Sequence, residues 1–143
     1  MKISSKTTYG LRFLIHLAIQ EDQHLGQVGQ IGKNENMSIK YLENIVSLLR
    51  PSGIITVKRG SHGGYKLARL PSEISLKEIL ETLEGGIIFD ENNSIVEKTS
   101  ADEVIDEFLD DFKNHTLDFL NAKSLADLAN KYKIISENQM FYI

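Results

Sequence analysis

The sequence contains no cysteine. This absence excludes disulfides, thiolate catalysis and any thiolate-ligated zinc or iron–sulfur site. No apolar run approaches the ~18–20 residues that a membrane-spanning helix needs, and no basic start leads into an apolar signal region. These absences predict a cytoplasmic protein.

Signatures of catalysis and of metal binding are also missing. The four histidines lack H-x-x-H or H-E-x-x-H spacing. No G-x-S-x-G, P-loop or dinucleotide fingerprint occurs. The acidic residues between 106 and 111 fit the solvated side of a helix better than a pair of catalytic carboxylates. The sequence therefore predicts neither an enzyme nor a metal site.

Composition and charge describe one ordinary globular domain with two unlike halves. The chain has 143 residues, of which 41% are hydrophobic and 25% are charged. Residues 1–69 carry ten Lys and Arg against four Asp and Glu, a net charge of +6, whereas residues 70–143 carry six against sixteen, a net charge of −10. This asymmetry indicates that the basic half binds a polyanion, unless the acidic helices are merely well solvated.

The first half of the chain predicts three helices. An amphipathic pattern over 4–20, with Ser4 or Ser5 as the cap, is followed by a polar turn, EDQHLGQ, and a short, glycine-interrupted helix over 28–36. In MSIKYLENIVSLLRPSG (37–53), Ser38 is the predicted N-cap and Pro51 with Gly53 ends the helix. The predicted buried residues are Leu11, Leu14, Ile15 and Ala18 in the first helix and Ile39, Leu42, Val46 and Leu49 in the third.

A basic hairpin follows the third helix. IITVKR (54–59) and YKLAR (65–69) are β-prone, and the link GSHGG joins them. Glycines allow a tight tip and a close approach of the backbone to a ligand. A glycine-containing hairpin is by itself weak evidence, because it also serves as an ordinary soluble surface.

The acidic half predicts three more helices. SLKEILETLEGG (75–86) starts with a capping box of Ser75 and Glu78 and ends at Gly85. After an acidic connection over 87–100, a second box of Ser100 and Glu103 starts a long helix to about residue 121, and a short helix covers 124–133. One side of the long helix carries Val104, Phe108, Phe112, His115 and Phe119.

This order of elements is that of a winged helix-turn-helix, so the predicted fold class is mainly α with a small β-hairpin wing and a long dimerisation helix. Lys40, Tyr41 and Asn44 lie opposite the apolar face of the third helix, where they can reach phosphates and base edges in a major groove. At the wing, Arg59 or His62 can enter a minor groove or touch phosphate. Lys58 and Lys66 are predicted to act as phosphate clamps.

Three stretches resemble the Rrf2 family of bacterial transcription regulators. These are MKISSKTTYGLRFLIHLA, MSIKYLENIVSLLRPSGIITVKRGSHGGYKLAR and ISLKEILETLEGG, within residues 1–86. The resemblance implies a homodimer bound to double-stranded DNA at a palindromic operator, with the long helix of each subunit crossing that of its partner. It also implies DNA contacts from Lys2, Ser5, Ser38, Lys40, Tyr41, Arg59 and His62.

The sequence departs from the family pattern in two places. Several members hold an iron–sulfur cluster on three cysteines between the fourth and fifth helices, where this chain has IIFDENNSIVEKTS and no cysteine. Cofactors are therefore predicted to be none. Thr7 and Thr8 replace the usual small and basic pair before Tyr9, which implies one phosphate contact fewer.

The last four residues, Met140, Phe141, Tyr142 and Ile143, end a polar chain with an apolar tail. The tail and the MKIS-x-K start are similar to those of the cysteine-metabolism repressors within this family. The similarity implies that the tail binds cysteine synthase, which grips C-terminal peptides ending in isoleucine; a free carboxylate with apolar neighbours suits such capture. The alternatives are a tail packed on the dimer with another signal sensed, or an enzyme-binding module that no longer binds an operator.

The apolar side of the long helix has two interpretations, an intrachain core or a dimer seam. Because the preceding residues can close a core of their own, a lone long helix favours a twofold dimer. The predicted division is a DNA-binding domain over 1–86 and, over 87–143, the connection, the dimerisation helix and the tail.

Overall fold

The computed structural model describes residues 2–20, 26–86 and 97–140. Residues 21–25 of the predicted turn, with His24, and residues 87–96 of the predicted connection lie outside these ranges. The elements in chain order are α1 (Ser5–Ile19), α2 (Val28–Asn34), α3 (Ile39–Leu49), β1 (Ile55–Lys58), β2 (Gly64–Leu67), a 3-10 turn (Pro71–Glu73), α4 (Leu76–Glu84), α5 (Ser100–Ala122) and α6 (Leu125–Met140). The predicted fold class is confirmed. No helix in the described part of the chain is long and apolar enough to cross a bilayer.

Ser4 is the N-cap of helix α1, and its hydroxyl accepts the Thr7 N–H. Of the four predicted core residues only Leu14 is fully buried, and Leu11, Ile15 and Ala18 are half-buried. The buried side of α1 differs from the predicted one because it includes Gly10, where α4 packs closely. A Cβ on Gly10 would lie 2.5 Å from Leu83 Cδ1 of α4. The buried residues of α1 are Thr7, Gly10, Phe13, Leu14 and Leu17.

Helix α3 has the predicted cap and end. The Ser38 hydroxyl accepts the Tyr41 N–H at 3.2 Å, and the chain leaves the helix through Gly53 at a φ of 78°. Ile39 was wrongly placed in the core: it lies in the first turn of α3 and is 52% exposed. Ile45, at the helical position between Leu42 and Leu49, is buried in its place.

The hairpin pairs β1 with β2 in antiparallel register, with Thr56 opposite Lys66 and Lys58 opposite Gly64. Each strand is shorter than predicted, and the connection comprises residues 59–63. Gly26 and Tyr65 exchange two backbone hydrogen bonds of 2.8 Å, so the outer edge of β2 is paired as well. Inward-facing Ile55 is buried against the helices.

Helix α4 is capped by Ser75 at its start and by Gly85, in the left-handed conformation, at its end, as predicted. The second half of the predicted capping box is wrong. The Glu78 carboxylate accepts a hydrogen bond from the Arg69 guanidinium, and Arg69 also donates to the Glu73 carbonyl at 3.2 Å. The partner of the Glu78 carboxylate is therefore a guanidinium from the segment after the hairpin.

The start of α5 was predicted one residue too late. Thr99, not Ser100, is the N-cap, and it forms a capping box with Asp102. Hydrogen bonds from the Thr99 amide and hydroxyl lower the pKa of Asp102 below its ordinary value. Just before the cap, the Lys98 ammonium donates a hydrogen bond of 2.6 Å to the Asp106 carboxylate, which raises the pKa of Lys98.

Helix α6 is longer than the predicted 124–133 and reaches Met140. No glycine or proline interrupts residues 124–140, so nothing ends the helix where its apolar pattern fades. Leu125 joins the core that contains Phe13 and Ile74. Its backbone N–H donates to the Ile74 carbonyl at 2.9 Å, which attaches the start of α6 beside α4.

Candidate nucleic-acid interface

Helix α3 exposes a polar side opposite its buried residues. Lys40 and Asn44 are exposed on this side, and Ser38 is exposed at its start. The Ser38 oxygen accepts a backbone N–H, and its own hydroxyl proton remains available to an acceptor such as phosphate. These residues have the exposure that contact with DNA requires.

Tyr41 lies at the edge of this polar side and is half-buried. Its ring meets the ring of Tyr9 edge to face, with centroids 5.3 Å apart and an interplanar angle of 85°. Pairs of this kind contribute about 0.5–1.5 kcal/mol beyond their buried area. Tyr41 is therefore a packing residue between α3 and α1 as well as a predicted DNA contact.

The wing presents its two predicted clamps on one side. Lys58 and Lys66 are exposed, whereas the alternating residues Val57 and Tyr65 are half-buried. Since Lys66 pairs with Thr56 and Lys58 with Gly64, the two lysines extend from the same face of the hairpin.

The tip of the wing requires glycine. A Cβ on Gly63 would lie 2.1 Å from the Lys58 carbonyl oxygen, and Gly60 has a φ of +114°. The Gly63 N–H donates to the Gly60 carbonyl at 3.0 Å and closes the turn. Arg59 and His62 are exposed around this turn, so a close backbone and two basic side chains occupy the same tip.

The start of α1 is fixed by a carboxylate from α4. Glu84 Oε1 accepts hydrogen bonds from the Ser4 amide at 2.9 Å, the Ser4 hydroxyl at 2.8 Å and the Thr7 hydroxyl at 2.5 Å. The bond from Thr7, followed by those from Ser4, lowers the pKa of Glu84 below its ordinary value. A carboxylate is also favourable at the N-terminal end of a helix because of the helix dipole.

This attachment positions two predicted DNA contacts. Lys2 and Ser5, on either side of Ser4, are exposed. Sequence reasoning missed Glu84, because it is 80 residues from Ser4 along the chain and nothing local marks it as a partner. Thr7, noted as a departure from the family pattern, is fully buried at this junction.

Within the described part of the chain, the predicted DNA-contacting cations form no ion pair. Among residues 2–20, 26–86 and 97–140, the ion pairs join His16 to Glu35, Arg69 to Glu78, Lys77 to Glu81 and Lys98 to Asp106. Lys2, Lys40, Lys58, Arg59 and Lys66 form no ion pair with another described residue. Their positive charge is therefore available to a polyanion.

Helix α5 leaves most of its apolar side uncovered. Val104, Phe108 and Phe119 are 67%, 66% and 60% exposed, and Phe112 is 42% exposed. Leu120, near the end of the helix, is its buried residue. His115, predicted to lie in a core or an interface, is exposed, and its Nδ1 lies 2.7 Å from the Asp111 carbonyl.

At the end of the chain, Met140 is 75% exposed. The remaining residues of the predicted tail, Phe141, Tyr142 and Ile143, lie outside the described residues.

The described residues also contain no group of three or more metal-ligating side chains.

A sequence pattern described as that of iron-dependent transcriptional regulators, the Rrf2 family, matches residues 3–131. The chain is 35% identical to the HTH-type transcriptional regulator CymR of Bacillus subtilis strain 168, and the alignment covers the whole of both chains. It is 36% identical to the regulator IscR of Cereibacter sphaeroides over 59% of this chain and 56% of that protein.

Solved structures agree with these similarities. CymR (YrzC), the global cysteine regulator of B. subtilis, superposes with a TM-score of 0.75 and 33% identity over 92% of this chain and 98% of that chain. The oxidised form of Staphylococcus aureus CymR gives a TM-score of 0.71 and 34% identity over 90% and 96% of the two chains. The predicted resemblance to the cysteine regulators and the prediction of a regulator, not an enzyme, are confirmed. The chain belongs to the Rrf2 family of transcriptional regulators.

Proposed function

We propose that this chain is a homodimeric repressor that binds a palindromic operator in double-stranded DNA and controls genes of cysteine metabolism. The observation that carries the proposal is a set of exposed cations that form no ion pair with another described residue: Lys2 just before α1, Lys40 on α3, and Lys58, Arg59 and Lys66 in the wing. These elements can contact different parts of DNA. Helix α3 can contact base edges, and the wing and the start of α1 can contact phosphates.

The dimer rests on the uncovered apolar side of α5. Exposed Phe108, Phe112 and Phe119 form a larger apolar surface than single scattered residues do, and such surfaces mark interaction sites. A second copy of the same helix offers a matching surface under a twofold axis. Two recognition helices related by that axis would contact half-sites about 34 Å apart.

The link to cysteine metabolism rests on similarity to CymR. The alignment of the two sequences is complete from end to end, and CymR is named as the global cysteine regulator of its organism. The protein would act in the cytoplasm, where the DNA is accessible to it.

An iron–sulfur cluster is not part of this proposal. The family is described as iron-dependent, but the chain has no cysteine to supply thiolate ligands. The residues present therefore do not fit a cluster of the thiolate-held kind, and the signal must reach this protein by another route.

For that route we propose the C-terminal tail. Met140, the last residue of α6, is 75% exposed, so the peptide that follows it can enter the active site of cysteine synthase, where apolar side chains would be captured. The metabolite would then be sensed by the enzyme, and the regulator would need no pocket of its own. A tail packed on the dimer and an enzyme-binding module without operator binding are the alternatives.

Two experiments test the proposal. Selection of duplexes from an inverted-repeat library should enrich one palindrome, and a failure to bind any duplex at low salt would contradict the DNA-binding function. Deletion of residues 141–143 should abolish capture by cysteine synthase while the melting temperature changes little. A lowered melting temperature without any capture by the full chain would instead support the packed tail.

A further inference from the structure

Helix α1 has an exposed side that the predicted DNA contacts cover only in part. Ser5, Thr8 and Arg12 are exposed and are spaced by three and four positions, so they lie along one face. The buried residues of α1, from Thr7 to Leu17, occupy the opposite face. Arg12 is thus the cation on the same side as Ser5, about two turns further along the helix.

Arg12 is held against an aromatic ring. Its guanidinium carbon lies 5.4 Å from the centroid of the Tyr9 ring, within the range of a cation–π interaction. It forms no ion pair with another described residue. A guanidinium in this position keeps its N–H donors for a planar, bidentate acceptor such as phosphate.

Tyr9 connects this cation to the recognition helix. The Tyr9 ring also packs against Tyr41 of α3 at 5.3 Å. The three side chains therefore form a continuous row, Arg12 on Tyr9 on Tyr41, that extends from the exposed side of α1 to the edge of α3. The position of the guanidinium relative to α3 is fixed through two rings.

From this row we infer that Arg12 binds a phosphate of the DNA backbone and that Tyr9 is the residue that positions it, so that the phosphate contact and the groove reading by α3 stay in register. The inference rests on the proposed DNA-binding function and adds a contact to it. Aromatic packing reduces the number of conformations that a long, exposed arginine side chain must lose on binding.

The test compares DNA affinity across a salt series for five variants of the full chain. Arg12→Ala should weaken binding to the selected and to unrelated duplexes alike, and should reduce the slope of log affinity against log salt by about 0.9. Arg12→Lys keeps the charge and should retain the slope, but should bind about two- to fivefold more weakly because an ammonium group lacks the planar shape that lets a guanidinium lie flat on Tyr9 and bind phosphate through two N–H groups. Tyr9→Phe keeps the ring and should bind as the unchanged protein does.

Lys131→Ala is the matched control, because it removes one exposed cation from α6 and should leave the slope unchanged. Arg12→Ala with an unchanged slope, alongside a reduced slope for Lys58→Ala, would overturn the inference and leave DNA binding intact. If Arg12→Lys binds as tightly as the unchanged protein, Tyr9 does not position the cation. If no variant affects binding and the unchanged protein ignores duplexes, the proposed function itself fails.

Discussion

The Glu84 carboxylate accepts a 2.5 Å hydrogen bond from the Thr7 hydroxyl, although the two residues are 77 positions apart in the chain. Thr7 is fully buried, and the same carboxylate oxygen binds the amide and the hydroxyl of Ser4. One acidic side chain of α4 therefore fixes the N-terminal end of α1 and, with it, the exposed residues Lys2 and Ser5.

Glu84→Ala should destabilise the protein by about 1–3 kcal/mol, because the buried Thr7 hydroxyl loses its acceptor. Ser4→Ala should cost about 1 kcal/mol through the loss of the helix cap. Urea unfolding at pH 7 measures both free energies. The control Glu81→Ala, whose carboxylate lies 3.7 Å from Lys77 Nζ on the same helix, should stay within about 0.5 kcal/mol of the unchanged protein. Equal losses for Glu81→Ala and Glu84→Ala would contradict the assigned role.

The Glu84 contacts also predict a pH dependence. Because folding lowers the pKa of Glu84 below its ordinary value of 4.5, the ionised group stabilises the fold at pH values above that value. This contribution is lost as the pH falls through the lower pKa of the folded state. Unfolding free energies of the unchanged protein and of Glu84→Gln should therefore differ most near neutral pH and converge in acid. A difference that stays constant from pH 7 to pH 3 would sink this prediction.

Alanine substitutions of Lys40 and Lys58 should distinguish contacts with bases from contacts with phosphates. Lys40→Ala on α3 should weaken binding to the selected palindrome more than to unrelated duplexes, by on the order of 1 kcal/mol. Lys58→Ala on the wing should weaken binding to all duplexes and lower the salt slope by about one. Fluorescence anisotropy at four or five salt concentrations measures both effects. The assignment of α3 to the groove fails if the two variants show the same loss for every sequence.

Phe108→Asp should convert the proposed dimer into a monomer. Phe108 is 66% exposed on the isolated chain, so a charge there costs the folded monomer little but is strongly unfavourable in an apolar interface. Analytical ultracentrifugation should show half the mass, and the affinity for a palindrome should fall. Asn114→Asp adds the same charge at another exposed position of α5 and should remain dimeric. A Phe108→Asp variant that keeps its mass would place the dimer seam elsewhere.

Gly63→Ala should disrupt the tip of the wing. The added methyl group would meet the Lys58 carbonyl at 2.1 Å, so the turn must open and Arg59 with His62 must move. We expect weaker DNA binding with the helices intact, as judged by circular dichroism. Ser61→Ala, an exposed position in the same turn, is the control and should bind normally.

Local signals in the sequence were sufficient for the elements but not for every boundary. Thr99 and Ser100 are adjacent hydroxyl residues, and each is followed three positions later by an acidic residue, Asp102 or Glu103. Both pairs fit a capping box, and the pattern cannot choose between them. Glu78 shows the same limit. Its carboxylate binds the Arg69 guanidinium, whereas the capping-box pattern considers only residues within the first turn of the helix.

Contacts between distant segments were beyond the reach of periodicity. The buried side of α1 is set by Leu83 packing against Gly10, and a glycine contributes no hydrophobic signal to a helical pattern. The hydrogen bond between Glu84 and Thr7 joins α4 to α1. The contacts from Arg12 through Tyr9 to Tyr41 join α1 to α3. Both depend on how these helices pack together. The polar faces of α3 and the wing, in contrast, follow from residue spacing alone: Ser38, Lys40 and Asn44 on α3 and Lys58 and Lys66 on the wing are exposed as expected, and only Tyr41 is half-buried, against Tyr9.

Leu125 is completely enclosed, and it shares one core with Phe13 and Ile74 although it begins the last helix of the chain. A chain cut after Gly86 would lose this side chain and leave a hollow beside Ile74, a loss comparable to a large-to-small core substitution at about 2–5 kcal/mol. Residues 1–86 therefore depend on α6 for part of their core. We expect these residues and α6 to unfold in a single cooperative transition. A fusion protein that carries residues 1–86 would need α6 as well.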